Sequence, residues 1–182
     1  SPRRIVEIGL LAMLVGEVLL IGFTGPNLRS VGFAVALALV GAGLGLLASQ
    51  LGNIIMSSVA PERGSEAGGL QGTAQNLGAS LGTALVGSIL IASLVGNFQT
   101  AVLADPALAD VSSQIAATAE QNANFVSTAQ VQSAAEQAGL SAAQVDTLVT
   151  TYADTQIVAL KASFAAIALF ALLALWFVRR LP

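Results

Sequence analysis

The chain has 182 residues, of which 55% are hydrophobic and only 9% charged, whereas soluble domains carry roughly 25% charged residues. This composition excludes an ordinary soluble domain, and the mean hydropathy of +0.80 indicates that lipid surrounds most of the chain. Cysteine and histidine are absent and the formal net charge is −3, which excludes disulfides, thiolate chemistry and the commonest metal ligand and gives no indication of a nucleic-acid partner.

The first predicted element is an apolar run over residues 5–23 that follows Arg3 and Arg4 and is interrupted only by Glu7 and Glu17. A helix of about 19 residues is about 28 Å long, close to the hydrocarbon thickness of a bilayer. The run is also too long for the core of a signal peptide. It therefore predicts a first transmembrane helix, in a chain whose SPRR start without methionine suggests a fragment or a processed product.

The second and third predicted spans, over residues 31–56 and 67–94, are rich in glycine. Glycines recurring at helical spacing let membrane helices approach closely. We therefore expect the glycine stripes of these two spans to be helix-packing surfaces and to pack against each other. The predicted packing residues are Gly41, Gly45, Gly52, Gly68, Gly72, Gly78 and Gly82.

Residues 97–155 are rich in Ala, Gln, Ser and Thr and hold six carboxylates without Lys or Arg. Asp105-Pro106 is typical of a helix start, and Ser127 and Ser141, each followed three residues later by Gln, fit capping boxes. Gly139 is placed as a residue that ends a helix. The sequence predicts a water-exposed helical hairpin here, and a last span with its tail over residues 156–182.

The predicted fold class is thus an all-α membrane protein, with three transmembrane helices in residues 1–96, a helical loop at 97–155 and a fourth span at 156–182. Four spans place both termini on one side of the membrane. Arginines concentrate on that side, which the positive-inside rule assigns to the cytoplasm. The sequence predicts a multi-pass protein of the cytoplasmic membrane, with cytoplasmic termini and an extracytoplasmic 97–155 loop. The basic residues of the predicted cytoplasmic side are Arg3, Arg4, Arg63, Arg179 and Arg180.

A family resemblance rests on the block PERGSEAGGLQGTAQNLGASLGTALVGSIL (61–90), which follows GAGLGLLASQLGNIIMSSV (41–59). It resembles the C-terminal part of the fourteen-helix multidrug efflux branch, the drug:proton antiporters, of the major facilitator superfamily. A sizeable outer loop before the last helix, and an ending like ASFAAIALFALLAL, also resemble that branch. The positions that match its pattern G-L-x-x-T-x-x-x-L-G-x-x-L-G-x-A are Gly69, Leu70, Thr73, Leu77, Gly78, Leu81, Gly82 and Ala84.

The resemblance implies that these four spans are the last four of fourteen. The N-terminal helices of the same transporter are then a partner that these four spans pack against. It also implies proton-coupled export of drugs or other small amphipathic molecules, with membrane lipid, the substrate and protons as the other partners. The alternative is a four-helix membrane module with a structural or partner-binding role and no transport activity of its own.

Two sets of polar residues are candidate sites. Glu17 lies about 20 Å along the helix from Arg4, where an ionised and unpaired carboxylate is costly. It is either a proton-coupling group or a neutral, water-bridged glutamate. The polar residues Gln50, Asn53, Gln71, Gln75 and Asn76 either line a substrate cavity or hydrogen-bond between helices.

The remaining polar features predict no chemistry. Glu62, Arg63 and Glu66 are typical of a solvated turn, with a gating ion pair as the alternative. The carboxylates of residues 97–155 lack the dense oxygen ligands of a calcium loop. Enzyme motifs with a nucleophile, a phosphate-binding loop or a metal site are absent from the sequence. We expect no enzymatic activity, no cofactor and no metal.

Overall fold

The computed structural model describes residues 2–26, 29–121 and 124–180. Secondary structure in these ranges is helical, without any strand. The helices are α1 (Pro2–Phe23), α2 (Val31–Ser57), α3 (Gly64–Ala104), α4 (Ser112–Gln121), α5 (Thr128–Gln137) and α6 (Ala142–Arg180), with 3-10 turns at Pro61–Arg63 and Pro106–Leu108.

Four of these helices (α1, α2, α3 and α6) are long and apolar enough to cross a membrane. This confirms an all-helical chain with four candidate transmembrane helices. The third and fourth are longer than predicted, because α3 continues to Ala104 and α6 already begins at Ala142. No proline or glycine interrupts the sequence over residues 97–104 or 142–156. The 97–155 stretch thus contains α4 and α5 between the ends of α3 and α6, and its place as a water-exposed hairpin stays a prediction.

The residues form two compact units, of which the first comprises Ser1–Val86 and Phe164–Pro182. Within it α1 and α2 pack antiparallel through glycines. A Cβ atom added at Gly43 would lie 2.6 Å from the carbonyl oxygen of Gly9 and 2.5 Å from Cγ of Met13. One added at Gly16 would lie 3.0 Å from the backbone nitrogen of Val40. The two backbones approach so closely that only glycine, whose side chain is a hydrogen atom, fits at these positions.

The predicted pairing of the α2 and α3 glycine stripes is not formed in the described part of the chain. A Cβ atom added at six of the seven predicted packing residues (Gly41, Gly45, Gly52, Gly72, Gly78 and Gly82) would meet no atom within 4 Å. At Gly68 it would meet Cε of Met56 at 3.7 Å. Two positions along a helix are roughly 200° apart, so Gly41 and Gly45 lie away from the side of α2 on which Gly43 contacts α1. A packing role for this stripe stays a prediction.

The second unit, Gly87–Ser163, has its own apolar core. From α3 it receives Leu94, Phe98 and Val102, and from α6 it receives Leu148 and Tyr152. The rings of Phe98 and Tyr152 meet edge to face, with centroids 5.4 Å apart. Aromatic pairs in this geometry stabilise a core beyond the area that they bury.

Polar side chains of α3 and α6 bind the short helices and the loop to this core. The hydroxyl of Tyr152 donates to the carbonyl oxygen of Val126 (3.2 Å) and accepts from its amide (3.1 Å). Nε2 of Gln156 donates to the same carbonyl at 2.8 Å, and Nε2 of Gln99 donates to the carbonyl of Ala116 at 3.0 Å. The loop before α5 and the last turns of α4 are thereby held in place by side chains from the two long helices.

The capping signals of the sequence are confirmed. Ser127 and Gln130 form a reciprocal capping box at the start of α5, and Ser141 and Gln144 exchange the same pair of bonds before α6. Gly139 adopts a φ of +78°, a conformation that side chains disfavour, in the turn between these two helices. Asp105 caps the 3-10 turn of Pro106–Leu108 by accepting from the amide of Ala107 at 2.8 Å.

We expect Ser127→Ala to destabilise α5 by about 1 kcal/mol, the usual effect of losing an N-cap oxygen. Hydrogen exchange at the amide of Gln130, which donates to the Ser127 hydroxyl as well as to the Ser127 carbonyl oxygen, measures the change. Ser133→Ala, at an exposed position inside the same helix, is the matched control and should leave that exchange rate unchanged. Equal exchange in both variants would contradict the capping role.

Candidate functional site

Glu17 is the buried carboxyl group of the first unit. Its side chain is only 3% exposed, and its Oε2 atom has no hydrogen-bond partner in the described part of the chain. Directly after the end of α1, Thr24 is equally buried and its hydroxyl also lacks a partner in that part of the chain. Buried polar groups are normally hydrogen-bonded, so a buried carboxyl group with one unpartnered oxygen stands out as a candidate for proton binding.

The predicted cavity-lining residues lie on the surfaces of α2 and α3. Gln50 and Asn53 make hydrogen bonds within their own helix, to Oγ of Ser49 (3.3 Å) and to its carbonyl oxygen (3.5 Å). Gln71 is half-buried, whereas Gln75 and Asn76 are exposed. Their role as a cavity wall stays a prediction.

The first part of α3 has two contrasting faces. Leu70, Leu77, Leu81 and Leu85 recur at spacings of seven and four, which places them on one side of the helix, and each is at least 50% exposed. The opposite side carries smaller and polar residues, Gly72, Gln75, Ala79 and Thr83. The leucine face suits lipid, while the small and polar face suits contact with protein or water.

Two ion pairs of the first unit join residues within one helical turn of each other. Nε of Arg63 lies 3.2 Å from Oε2 of Glu66, and both side chains are at least 70% exposed. Nε of Arg3 lies 3.1 Å from Oε1 of Glu7 one turn away. Exposed pairs of this kind contribute little to stability, so the Arg63–Glu66 pair has the geometry of a solvated turn.

A cavity that the sequence did not indicate lies in the second unit. Its volume is about 450 Å³, and α3, α4, α5 and α6 all contribute to its wall. Large apolar side chains such as Phe98, Ile115, Val131 and Leu148 line it, and none of the described residues that line it is charged. The one signal in the sequence was the presence of isolated aromatic residues, Phe98 and Tyr152, in segments otherwise built from small side chains.

These features define an all-helical, multi-pass membrane protein that carries a separately packed helical unit over residues 87–163. No protein-family profile, curated protein or solved structure matches the chain.

Proposed function

We propose that the chain is the C-terminal four-helix part of a proton-coupled efflux transporter of the major facilitator superfamily. Such a transporter exports drugs or other small amphipathic molecules across the cytoplasmic membrane. The proposal is supported by the four candidate spans and by the resemblance of residues 61–90 to the fourteen-helix branch.

The uncovered small and polar face of α3 is the observation that carries the proposal. Polar groups are costly in lipid, so Gln75 and Thr83 require protein or water on that side. The glycine stripe on α2, with open space at Gly41 and Gly45, is a second surface suited to another helix. A larger helical bundle with a wet central cavity provides both kinds of neighbour.

The proposed orientation places the Arg63 turn in the cytoplasm and the second unit outside. The chain has no cysteine, so single cysteines report location without background. We expect a membrane-impermeant maleimide to label Ser113→Cys on α4, and not Ser65→Cys beside the Arg63 turn, in intact cells or spheroplasts.

Inside-out vesicles are the control for this labelling experiment, because there Ser65→Cys should react and Ser113→Cys should not. Both positions are exposed in the structure, so a difference in labelling reports the side of the membrane. Labelling of Ser65→Cys from outside the cell would overturn the orientation and the transporter proposal with it.

In this proposal Glu17 binds the coupled proton. Glu17→Gln keeps the shape of the side chain and removes its ability to ionise. In the complete transporter we expect proton-driven export to fall about 100-fold, within the range by which acid–base groups contribute to rates, while the amount of folded protein in the membrane is unchanged. Export at the wild-type rate would exclude Glu17 as the coupling group and leave the transporter proposal to be decided by the orientation and by transport itself.

The second candidate function is a membrane module that binds a partner without transporting anything. It is favoured by the second unit, because a separately packed core is what a docking domain needs. A coding sequence upstream of Ser1 with ten further spans would decide for transport. Stable expression of these 182 residues as a discrete bundle, without any upstream helices, would decide for the module.

A further inference from the structure

The cavity of the second unit is larger than a packing imperfection. It is a half-open cleft of about 450 Å³, wider than the gaps between packed side chains in a protein interior. That volume lies within the range of about 300–1,000 Å³ that is typical of small-molecule sites. In a unit as small as residues 87–163, a cavity of this size indicates a binding site.

The space exists because short side chains occupy wall positions that a filled core would give to larger ones. Ala119 of α4 and Ala134, Ala135 and Ala138 at α5 all line the cavity. Opposite them stand the large side chains of α3 and α6, including Phe98 and Leu148. The alanines therefore set the width of the cavity, and the two long helices supply its apolar wall.

The wall is held in place by hydrogen bonds that do not need a ligand. The Tyr152 hydroxyl is bonded to both backbone groups of Val126, and the Gln130 side chain accepts from the amide of Ser127. The Tyr152 hydroxyl and the side-chain oxygen of Gln130 are thus already used by the protein, and the cavity offers a mainly apolar surface. Preformed sites bind without the cost of ordering their walls.

The charge pattern selects the chemistry of the ligand. The second unit contains the carboxylates Asp105, Asp110, Glu120, Glu136, Asp146 and Asp154, yet none of them lines the cavity. Its polar lining consists of neutral amide and hydroxyl side chains such as Gln114 and Thr118. A cation would find no counter-ion and an anion no basic group, and burying an unpaired charge is costly.

We propose that the second unit binds a free, neutral, predominantly apolar small molecule in the cavity between α3, α4, α5 and α6. This proposal goes beyond the proposed transport function and does not depend on it. A binding site formed by residues 87–163 serves a transporter and a partner-binding module equally.

The test is photolabelling of the full chain, held in a lipid-free amphipathic polymer, with a neutral twelve-carbon alcohol that carries a diazirine. Peptic peptides analysed by mass spectrometry locate the attachment. We expect labelling of cavity residues between 94 and 152, and loss of most of that labelling in Ala119→Phe, whose ring fills the space. Ala117→Phe is the matched control, because Ala117 is on the same helix, exposed and not part of the lining.

A second pair of variants keeps the test decisive if Ala119→Phe fails to fold. Ala134→Phe places a ring in the cavity from α5 instead of α4. Its control is Ala129→Phe, because Ala129 is exposed and does not line the cavity. Far-UV circular dichroism establishes that each variant keeps its helices. Equal labelling in wild type and in both cavity-filling variants would overturn the proposal.

Two further experiments identify the chemical class of the ligand. A trimethylammonium analogue of the probe should label the cavity much less than the alcohol, and preferential labelling by this cation would overturn the inference of a neutral ligand. Extraction of the purified protein should yield no phospholipid that is specific to the cavity. A phospholipid that is retained by wild type and lost from Ala119→Phe would overturn a free molecule in favour of a lipid acyl chain.

Discussion

Tyr152→Ala is expected to unfold the second unit or to leave it marginally stable. Removing a buried aromatic side chain costs about 3–5 kcal/mol, and the amide of Val126, which now donates to the Tyr152 hydroxyl at 3.1 Å, would lose its partner. The edge-to-face contact with Phe98 would be lost as well. Since domains are stable by only about 5–15 kcal/mol, one substitution removes a large share of the stability. Hydrogen exchange of peptides from residues 87–163 measures the loss.

Two companion variants separate the ring from its hydroxyl. Tyr152→Phe keeps the contact with Phe98 and removes both bonds to Val126, and we expect a smaller loss of about 1–3 kcal/mol. Phe125→Ala removes an aromatic side chain that is 42% exposed, and its effect should stay within about 1 kcal/mol. Protection equal to wild type in Tyr152→Ala would show that the Phe98–Tyr152 pair is not the centre of this core.

Gly43→Leu is expected to separate α1 from α2. Even its Cβ atom would lie 2.6 Å from the carbonyl oxygen of Gly9, a backbone atom that moves only with its helix. Over-packing typically costs about 1–3 kcal/mol, and we expect the upper end or more here because the clash is with backbone. Titration of the 182-residue chain in mild detergent with dodecyl sulfate, followed by circular dichroism, should show unfolding at a lower denaturant fraction.

Gly41→Leu is the matched control for that experiment. Both substitutions remove a glycine from the interior of α2 and gain the same helix propensity, but a Cβ at Gly41 meets no atom within 4 Å. We expect no loss of stability in the 182-residue chain. If the proposed transporter is correct, Gly41→Leu should instead impair the complete protein, where further helices cover this face. Equal effects of the two variants in the isolated chain would contradict the observed packing of α1 on α2.

The helices and their caps could be predicted from the sequence because their causes are local. The apolar runs at 5–23 and 31–56 are long enough to span a bilayer, and the capping boxes at Ser127 and Ser141 need only residues three positions apart. For the same reason, the spans predicted at 67–94 and from residue 156 are shorter than the helices α3 and α6. Hydropathy marks where a helix ceases to be apolar, whereas the helices themselves continue through polar but helix-compatible residues to Ala104 and back to Ala142.

Glycine periodicity showed that α2 has a face of small residues and could not show what lies against it. The close contact uses Gly9, Gly16 and Gly43, none of which belongs to the predicted glycine stripes. Contact between two helices depends on both surfaces at once, so a pattern in one of them identifies a surface and not its partner. The neighbours of Gly41 and of the polar face of α3 stay predictions for this reason.

By itself, the sequence determined that this chain is helical, that four helices are apolar and long enough to cross a membrane, and that Ser127 and Ser141 cap the starts of α5 and α6. These properties follow from composition and from neighbours within one or two turns. Only the tertiary structure decided that Glu17 is buried with an unpartnered oxygen, that Tyr152 holds the loop at Val126, and that alanines on α4 and α5 leave an apolar cavity. Burial and empty space arise from residues far apart in the chain that meet in three dimensions, and no local pattern encodes such a meeting.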